Sequence, residues 1–373
     1  MKGIIRHVSD LADMRGASGY SSILVDTSDL KYRNLLPHAL KYGVWALDEG
    51  GTLTIRDNGP DSFDSWPHTV PFNLVRQWTF KLLEGYAELV SMDATARELV
   101  LRRTRPATPP GWSAGVIFSG ADAEIPRLAE CLDALLKQPE LTEAQGGEIV
   151  VCGPERDLAF LAPYPSVRYL VHDTKTKPRL LTADKKNFLA AHLRGPRIAI
   201  MHTRICLEPG CLSQVPAEFE ITTPRVLVAE TQGRADYLSL QVGDNVVPGR
   251  VPRLLPDSVR RVGADNYLSL YAAGAPFIDG GVYFARKDVL DACPLHANVA
   301  WGEAEDNEWC ARAQVNGYLI DMAPKALAIS TTSKLRDPGQ RSPRTTFLMR
   351  SAFRQVTGLR YRLKESLRSF GAR

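Results

Sequence analysis

Residues 298–322 read NVAWGEAEDNEWCARAQVNGYLIDM. Four carboxylates, Glu303, Glu305, Asp306 and Glu308, fall within six positions. Val299, Ala300 and Trp301 lead in, and Gly302 supplies a turn. A helical run follows and closes at Asn316-Gly317, a good helix C-terminus. Acidic groups at a helix start are stabilised by the dipole and stay ionised, so an acidic first turn is common on that ground alone. Here Trp-Gly-Glu-x-Glu-Asp is followed by Arg312, Gly317 and an apolar strand. That order points to a carboxylate base presented at the mouth of a site.

The chain has 373 residues, enough for two or three domains, of which 44% are hydrophobic and 24% charged. That is the composition of an ordinary soluble globular protein. The net charge of +4 is too small to imply a nucleic-acid partner. The six cysteines form no CxxC pair and no dense framework, which suits a reduced, cytoplasmic setting. Cys206 and Cys211 have no His or Cys partners nearby in sequence to complete a zinc site. No run is apolar for the length of a membrane span, and the N-terminus lacks a signal sequence.

Residues 1–104 read as a small α/β unit. Ser22–Asp26 is a strand, Tyr32–Leu47 a helix, Asp48-Glu-Gly-Gly51 a turn and Thr52–Asp57 a second strand. Phe72–Leu83 is a helix, and Ala87–Ser91 with Glu98–Arg102 make a terminal strand pair. This order resembles the second half of a class I methyltransferase, a half-Rossmann unit. That family's cofactor loop lies in its first half, and Met1–Gly19 holds no strand long enough to set one up. The resemblance therefore implies a catalytically silent unit that packs or docks a protein partner.

Thr104-Arg-Pro-Ala-Thr-Pro-Pro-Gly111 is Pro-rich and marks a linker at 105–111. A second domain, 112–340, follows. Ala114–Ser119, Gly147–Cys152, Val167–Val171 and Arg197–Met201 are strands, and Glu124–Leu136 and Asp184–Leu193 are helices. Strands that each end before a polar residue suggest a parallel sheet, with ligand beyond the strand C-termini. Ser119, Gly120, Gly153, Asp173, Lys185, Asn187 and His202–Arg204 stand there. Each alone is weak, since Ser119-Gly120 suits a plain turn and Lys185-Lys186 a solvated helix face. Together they suit a nucleotide diphosphate.

Five stretches occur in the order of one family: Ser113–Ser119, Asp184-Lys-Lys-Asn187, Ile198–Ile205, Phe277-Ile-Asp-Gly-Gly281 and Trp301-Gly-Glu-Ala-Glu-Asp306. The second domain resembles the GT-A glycosyltransferases, in particular the inverting family 2 type. The resemblance implies an α/β fold with a GT-A type nucleotide-binding mixed sheet flanked by helices. It implies inverting sugar transfer from a nucleotide-diphosphate donor to a glycan or lipid-linked hydroxyl acceptor, in bacterial glycan or polysaccharide assembly. Asp306 would be the base with Glu305 beside it. Ser119, Gly120, Asp173, Lys185, Lys186, Asn187, His202, Thr203 and Arg204 would hold the nucleotide sugar. Asp279, Gly280, Gly281, Trp301 and Gly302 would line the acceptor side.

Two departures matter. The family's strand-end aspartates, which hold a divalent Mn or Mg against the diphosphate, are replaced by Thr203 and Arg204, with only His202 in keeping. The strand Ala326–Ile329 ends in Ser330 rather than a His. With the expected ligands missing, no metal is assigned, and a cation such as Arg204, Lys334 or Arg336 takes its place; the alternative is a non-catalytic scaffold or partner subunit. Residues 213–276 are rich in Pro and Arg, an insert where acceptor specificity would sit. From Arg344 the chain holds seven Arg and Lys364 against the single Glu365. Residues 341–373 read as a basic amphipathic helix that packs on the domain or makes peripheral contact with the inner face of the membrane.

Overall fold

The computed structural model describes residues 1–30, 35–58, 71–172, 181–230, 233–237, 240–243, 268, 271, 274–299 and 303–332. Asp173, Trp301, Gly302, Lys334, Arg336 and the basic tail lie outside them. The chain divides into Met1–Thr331 and Thr332–Arg373, and of the second only Thr332 is described. The first unit is α/β with a mixed sheet, the class expected.

The unit holds two main sheets. In the smaller, β1 (Lys2–Ile5), β2 (Tyr20–Asp26) and β3 (Leu47–Arg56) run parallel, and β5 (Glu98–Arg103) and β4 (Ala87–Asp93) close the sheet antiparallel. Their order is β1-β2-β3-β5-β4. Helices α1 (Val8–Met14), α2 (Thr27–Leu30), α3 (Leu36–Ala46) and α4 (Phe72–Leu83) connect them. Residues 1–19 thus contain a short strand that the sequence reading did not place. Lys2–Ile5 alternates weakly and only Ile5 is buried, so periodicity is faint, but its register to Ser22–Val25 is regular. The Asp48–Gly51 turn lies inside β3 as an irregularity, where the pairing jumps from Tyr20↔Leu47 to Ser22↔Thr52 and Gly50 takes φ 77°.

The second sheet has nine strands. Its parallel part comprises β6 (Trp112–Ile117), β7 (Glu148–Gly153), β8 (Val167–Val171) and β9 (Arg197–His202). Helix α5 (Ile125–Leu136) follows β6, and α6 (Thr182–His192) precedes β9. The spatial order is β8-β7-β6-β9. The chain grows to one side of β6 and then returns to the other, so the crevice beyond the C-termini of β6 and β9 is a topological switch point. Beyond β9 the sheet continues through β15 (Val282–Arg286), β11 (Ile221–Glu230), β16 (Ile320–Ser330) and β10 (Ile205–Leu207), with β12 (Gly233–Tyr237) on β11. β13 (Leu240–Gly243) pairs with β14 (Ala275–Ile278) separately. Helices α7 (Lys287–Ala292) and α8 (Glu305–Val315) complete the unit.

The interiors of β7 (Ile149–Cys152) and β9 (Ile198–Met201) are apolar because both faces are covered. Val150, Cys152, Ile198 and Ile200 join a core shared with the smaller sheet, while Ile149, Val151, Ala199 and Met201 join the core under α5. Gly115 on β6 lets α6 lie close, since a Cβ there would stand 2.6 Å from Leu189 Cδ2.

Buried charges tie the two sheets together. Lys41 Nζ donates to Glu220 Oε1 at 2.6 Å, Tyr86 Oη donates to the same oxygen at 2.8 Å, and Leu319 N–H donates to Oε2 at 2.6 Å. Asp321 accepts from Arg15 at 3.0 Å and Tyr42 at 2.7 Å on one oxygen and from Tyr271 at 3.3 Å on the other. The Pro-rich segment is fastened as well, with Thr108 N–H and Oγ1 donating to Glu218. His38 lies in this seam, its ring 4.1 Å from that of Tyr271 and both nitrogens without hydrogen-bond partners among the described residues.

Burial pushes the His38 imidazole down to about 4 from its ordinary 6.5; Arg15 adds to the effect and Asp321 opposes it. Between those values the unfolded chain binds a proton that the folded one refuses. Stability therefore falls as pH is lowered through the window, by about 3 kcal/mol in all. His38→Phe, which keeps a ring against Tyr271, should flatten that part of the stability–pH curve in urea denaturation. An unchanged slope would show that His38 is not its source.

Candidate active site

The crevice is floored by the segments leaving β6 and β9. After β6, Phe118 N–H donates to the Cys152 carbonyl at 2.9 Å, and Gly120 turns the chain with φ 85°. Ser119 N–H donates to Glu124, Ser119 Oγ accepts from Ala121 N–H, and the Gly120 carbonyl accepts from Arg156 at 2.9 Å. Arg156 follows β7, lies over the rings of Phe118 and Phe160 and pairs with Asp122. The sequence reading missed it, although its place just beyond a parallel strand was the available signal.

Helix α6 carries three of the expected residues to different ends. Lys185 Nζ donates to the Phe118 carbonyl at 3.1 Å. Lys186 is fully buried; its Nζ donates to the Gly280 carbonyl at 3.0 Å and to Glu305 Oε1 at 3.1 Å, above the ring of Tyr283. Its ammonium faces these groups rather than open crevice. Asn187 spends both ends of its amide on the backbone of Leu295, at 2.7 and 2.9 Å. That fastens the segment after α7 and leaves the amide out of the crevice.

The acidic turn is the start of α8, as its composition suggests. Ala304 precedes it in left-handed backbone, φ 59° and ψ 54°, and its carbonyl accepts from Glu308 N–H. At the other end Gly317, φ 84°, accompanies bonds from Tyr318 N–H to the Ala313 carbonyl and from Gly317 N–H to that of Gln314. The four carboxylates part company. Glu303 is exposed, and Glu308 pairs along the helix with Arg312. Glu305 is buried against Lys186, and Asp306 Oδ2 accepts from Gly280 N–H at 2.7 Å.

The Asp279-Gly280-Gly281 turn between β14 and β15 joins this helix start to the end of β9. Gly281 N–H donates to Asp279 Oδ2 at 3.1 Å, and its carbonyl accepts from His202 N–H at 3.0 Å. Arg204 reaches the same Asp279 oxygen at 3.5 Å and donates to Ser330 Oγ at 2.8 Å. A side chain at either glycine would have to displace its neighbours. A Cβ on Gly280 would stand 2.8 Å from Lys186 Nζ and 3.1 Å from Asp306 Oδ2, and one on Gly281 would overlap the Arg204 guanidinium. Thr203 is buried. The structure therefore brings together Lys186, Arg204, Asp279, Gly280, Gly281, Glu305 and Asp306, with the His202 backbone, at one wall of the crevice.

Burial raises the Asp306 carboxyl above the usual aspartate range, and repulsion from Glu305 and Asp279 adds to it; Lys186 and the Gly280 N–H pull partly the other way. A carboxylate so placed is a stronger base than one in water. A hard divalent cation needs several oxygen ligands. At the strand end it would meet a guanidinium already set between Asp279 and Ser330. Among the described residues, no group of three or more His, Cys, Asp or Glu gathers to hold one.

No family model matches the chain, and no curated protein matches it. Among solved structures it is similar to S. aureus TarS 1-349, at 13% identity and TM-score 0.40, over 59% of this chain and 60% of that one. It is similar to the same protein in complex with UDP-GlcNAc, at 13% and 0.41, over 62% and 61%. It is also similar to mannosyltransferase PcManGT from Pyrobaculum calidifontis in complex with GDP-Man and Mn2+, at 12% and 0.40, over 62% and 61%. The chain spans about three fifths of the length of each. Similarity at this level assigns no residue a role.

Left-handed backbone at a non-glycine residue costs about 1–2 kcal/mol, and glycine gives back part of that through its looser unfolded state. Ala304→Gly should therefore raise unfolding stability by about 0.5–1 kcal/mol in urea denaturation. A loss of stability would mean that the turn carries no such strain.

Proposed function

We propose that this chain is a glycosyltransferase that moves a sugar from a nucleotide-diphosphate donor to a hydroxyl acceptor, with inversion at the anomeric carbon. The observation that carries the reading is the presence, at one sheet switch point, of a half-buried carboxylate and a guanidinium. Asp306 is raised in basicity and aimed by the Gly280 N–H, and Arg204 stands at the end of β9.

Asp306 takes the proton of the acceptor hydroxyl as its oxygen attacks the anomeric carbon. The bond from that carbon to the diphosphate oxygen breaks, and the departing diphosphate gathers negative charge. Arg204, a planar donor suited to phosphate, stabilises that charge in place of a metal. No step runs through a divalent cation, because the donor set at the strand end does not fit one. Lys185 and the segment after β6 frame the nucleotide side of the crevice, and Asp279-Gly280-Gly281 the acceptor side. The acceptor class proposed is a glycan or lipid-linked hydroxyl. The smaller sheet is a packing or partner-docking layer, and the basic tail a peripheral membrane contact. Among the described residues, no helix is long and apolar enough to cross a membrane. The altered strand-end donors also favour a second reading, a partner subunit without turnover.

General-base catalysis contributes about 10²–10⁴-fold. Asp306→Asn should lower kcat by about 10³-fold while nucleotide-sugar affinity stays within a few-fold. Because burial opposes ionisation of Asp306, its ionised form costs stability that grows as pH rises through its raised pKa. The Asn variant should accordingly melt no lower than the parent at neutral pH. Wild-type transfer rates in this variant would remove Asp306 as the base.

A further inference from the structure

Lys186, Gly280, Glu305 and Asp306 close a ring. The Gly280 peptide donates its N–H to Asp306 and its carbonyl accepts from Lys186. Lys186 in turn holds Glu305, the chain neighbour of Asp306. The lysine side chain is fully buried and Glu305 nearly so; Arg204, at the end of β9, is covered to the same degree as Glu305 and stands beside Asp279. A lysine meant for a departing diphosphate would point its ammonium into the crevice; this one is spent on the wall.

We infer that Lys186 is a positioning residue that, through Glu305 and the Gly280 peptide, fixes the place and the protonation of the Asp306 carboxylate and does not grip the diphosphate. The inference rests on the reading of Asp306 as the base. The groups that face Asp306 are Glu305 and Cys310 from its own helix, Lys186 from α6 and Asp279 from the β14–β15 turn, the last paired with Arg204. Tyr283 from β15 lies close as well. Glu308 is answered by Arg312. Among the described residues Lys186 is thus the cation that acts on the base, and Glu305 the anion directly beside it. Their effects on Asp306 are opposite in sign: the ammonium favours ionisation, and the Glu305 carboxylate opposes it.

The test compares Lys186→Met, Glu305→Gln and the double variant in full-length protein. The readouts are kcat against pH, UDP and GDP affinity by calorimetry, and the Asp306 carboxyl titration by carbon NMR. Lys186→Met should move the acidic limb of kcat up by about one pH unit or more, and Glu305→Gln should move it down. The double variant, which leaves no unpaired buried charge, should return near the parent limb with kcat still lowered. Nucleotide affinity should stay within threefold throughout. If Lys186→Met does not fold, Glu305→Gln should still lower the limb and the double variant should bring it back toward the parent; a double variant that stays with Glu305→Gln would overturn the inference. A tenfold loss of nucleotide affinity with an unmoved limb would overturn the inference and return Lys186 to the diphosphate. Shifts of the same sign in the two single variants would also overturn it, because a purely structural lesion has no charge signature. Should the parent chain transfer no sugar, the proposed function fails. The NMR titration would still decide whether Lys186 and Glu305 set the Asp306 carboxyl in opposite directions.

Discussion

One peptide group holds the wall of the crevice together. Gly280 offers its N–H to Asp306 and its carbonyl to Lys186, so a single turn between β14 and β15 fixes a helix start 26 residues on and a helix interior 94 residues back. The approach is so close that a Cβ at Gly280 or Gly281 would have to displace the Lys186 ammonium or the Arg204 guanidinium. In a poorly solvated setting such donors do more than in water, because no solvent must reorganise around the carboxylate. The left-handed Ala304 belongs to the same constraint, since it delivers Glu305 and Asp306 into this turn with an unfavourable backbone.

The second constraint lies behind the site. Glu220 and Asp321 are buried carboxylates near the starts of β11 and β16, and their partners Lys41, Tyr86, Arg15 and Tyr42 come from the smaller sheet's layer. A buried ion pair adds little net stability, but removing one partner costs about 3–5 kcal/mol. Such pairs set how two layers dock rather than how strongly. Leu319, held by Glu220, links the end of α8 to β16, and β16 ends at Ser330, which accepts from Arg204. The smaller sheet therefore braces the strand whose far end helps place the proposed diphosphate cation.

Much of this was legible in the chain. The helix at 72–83 appears at the bounds its apolar spacing gives, and the strand at 167–171 likewise. The acidic helix start and its Asn316-Gly317 end follow from local rules of capping and dipole. Local reasoning failed where the partner is distant. Asn187 looks like a ligand residue until Leu295, 108 positions on, takes its amide. Lys186 looks like a solvated helix lysine until Glu305 arrives from 119 positions away. The strand 326–329 grows into Ile320–Ser330, because Asp321, which alone would argue for a loop, is answered by Arg15 and Tyr42. Lys2–Ile5 was missed because a four-residue strand at a sheet edge shows almost no period.

The central claim is that the crevice beyond β6 and β9 binds a nucleoside diphosphate through protein cations alone. Calorimetric titration of the full-length protein with UDP, GDP, ADP and CDP, in excess EDTA, tests it most directly. The account predicts saturable binding of at least one of them, weakened tenfold or more in Arg204→Ala. Binding of none in EDTA, or binding that appears only on adding Mn2+ or Mg2+, would contradict it.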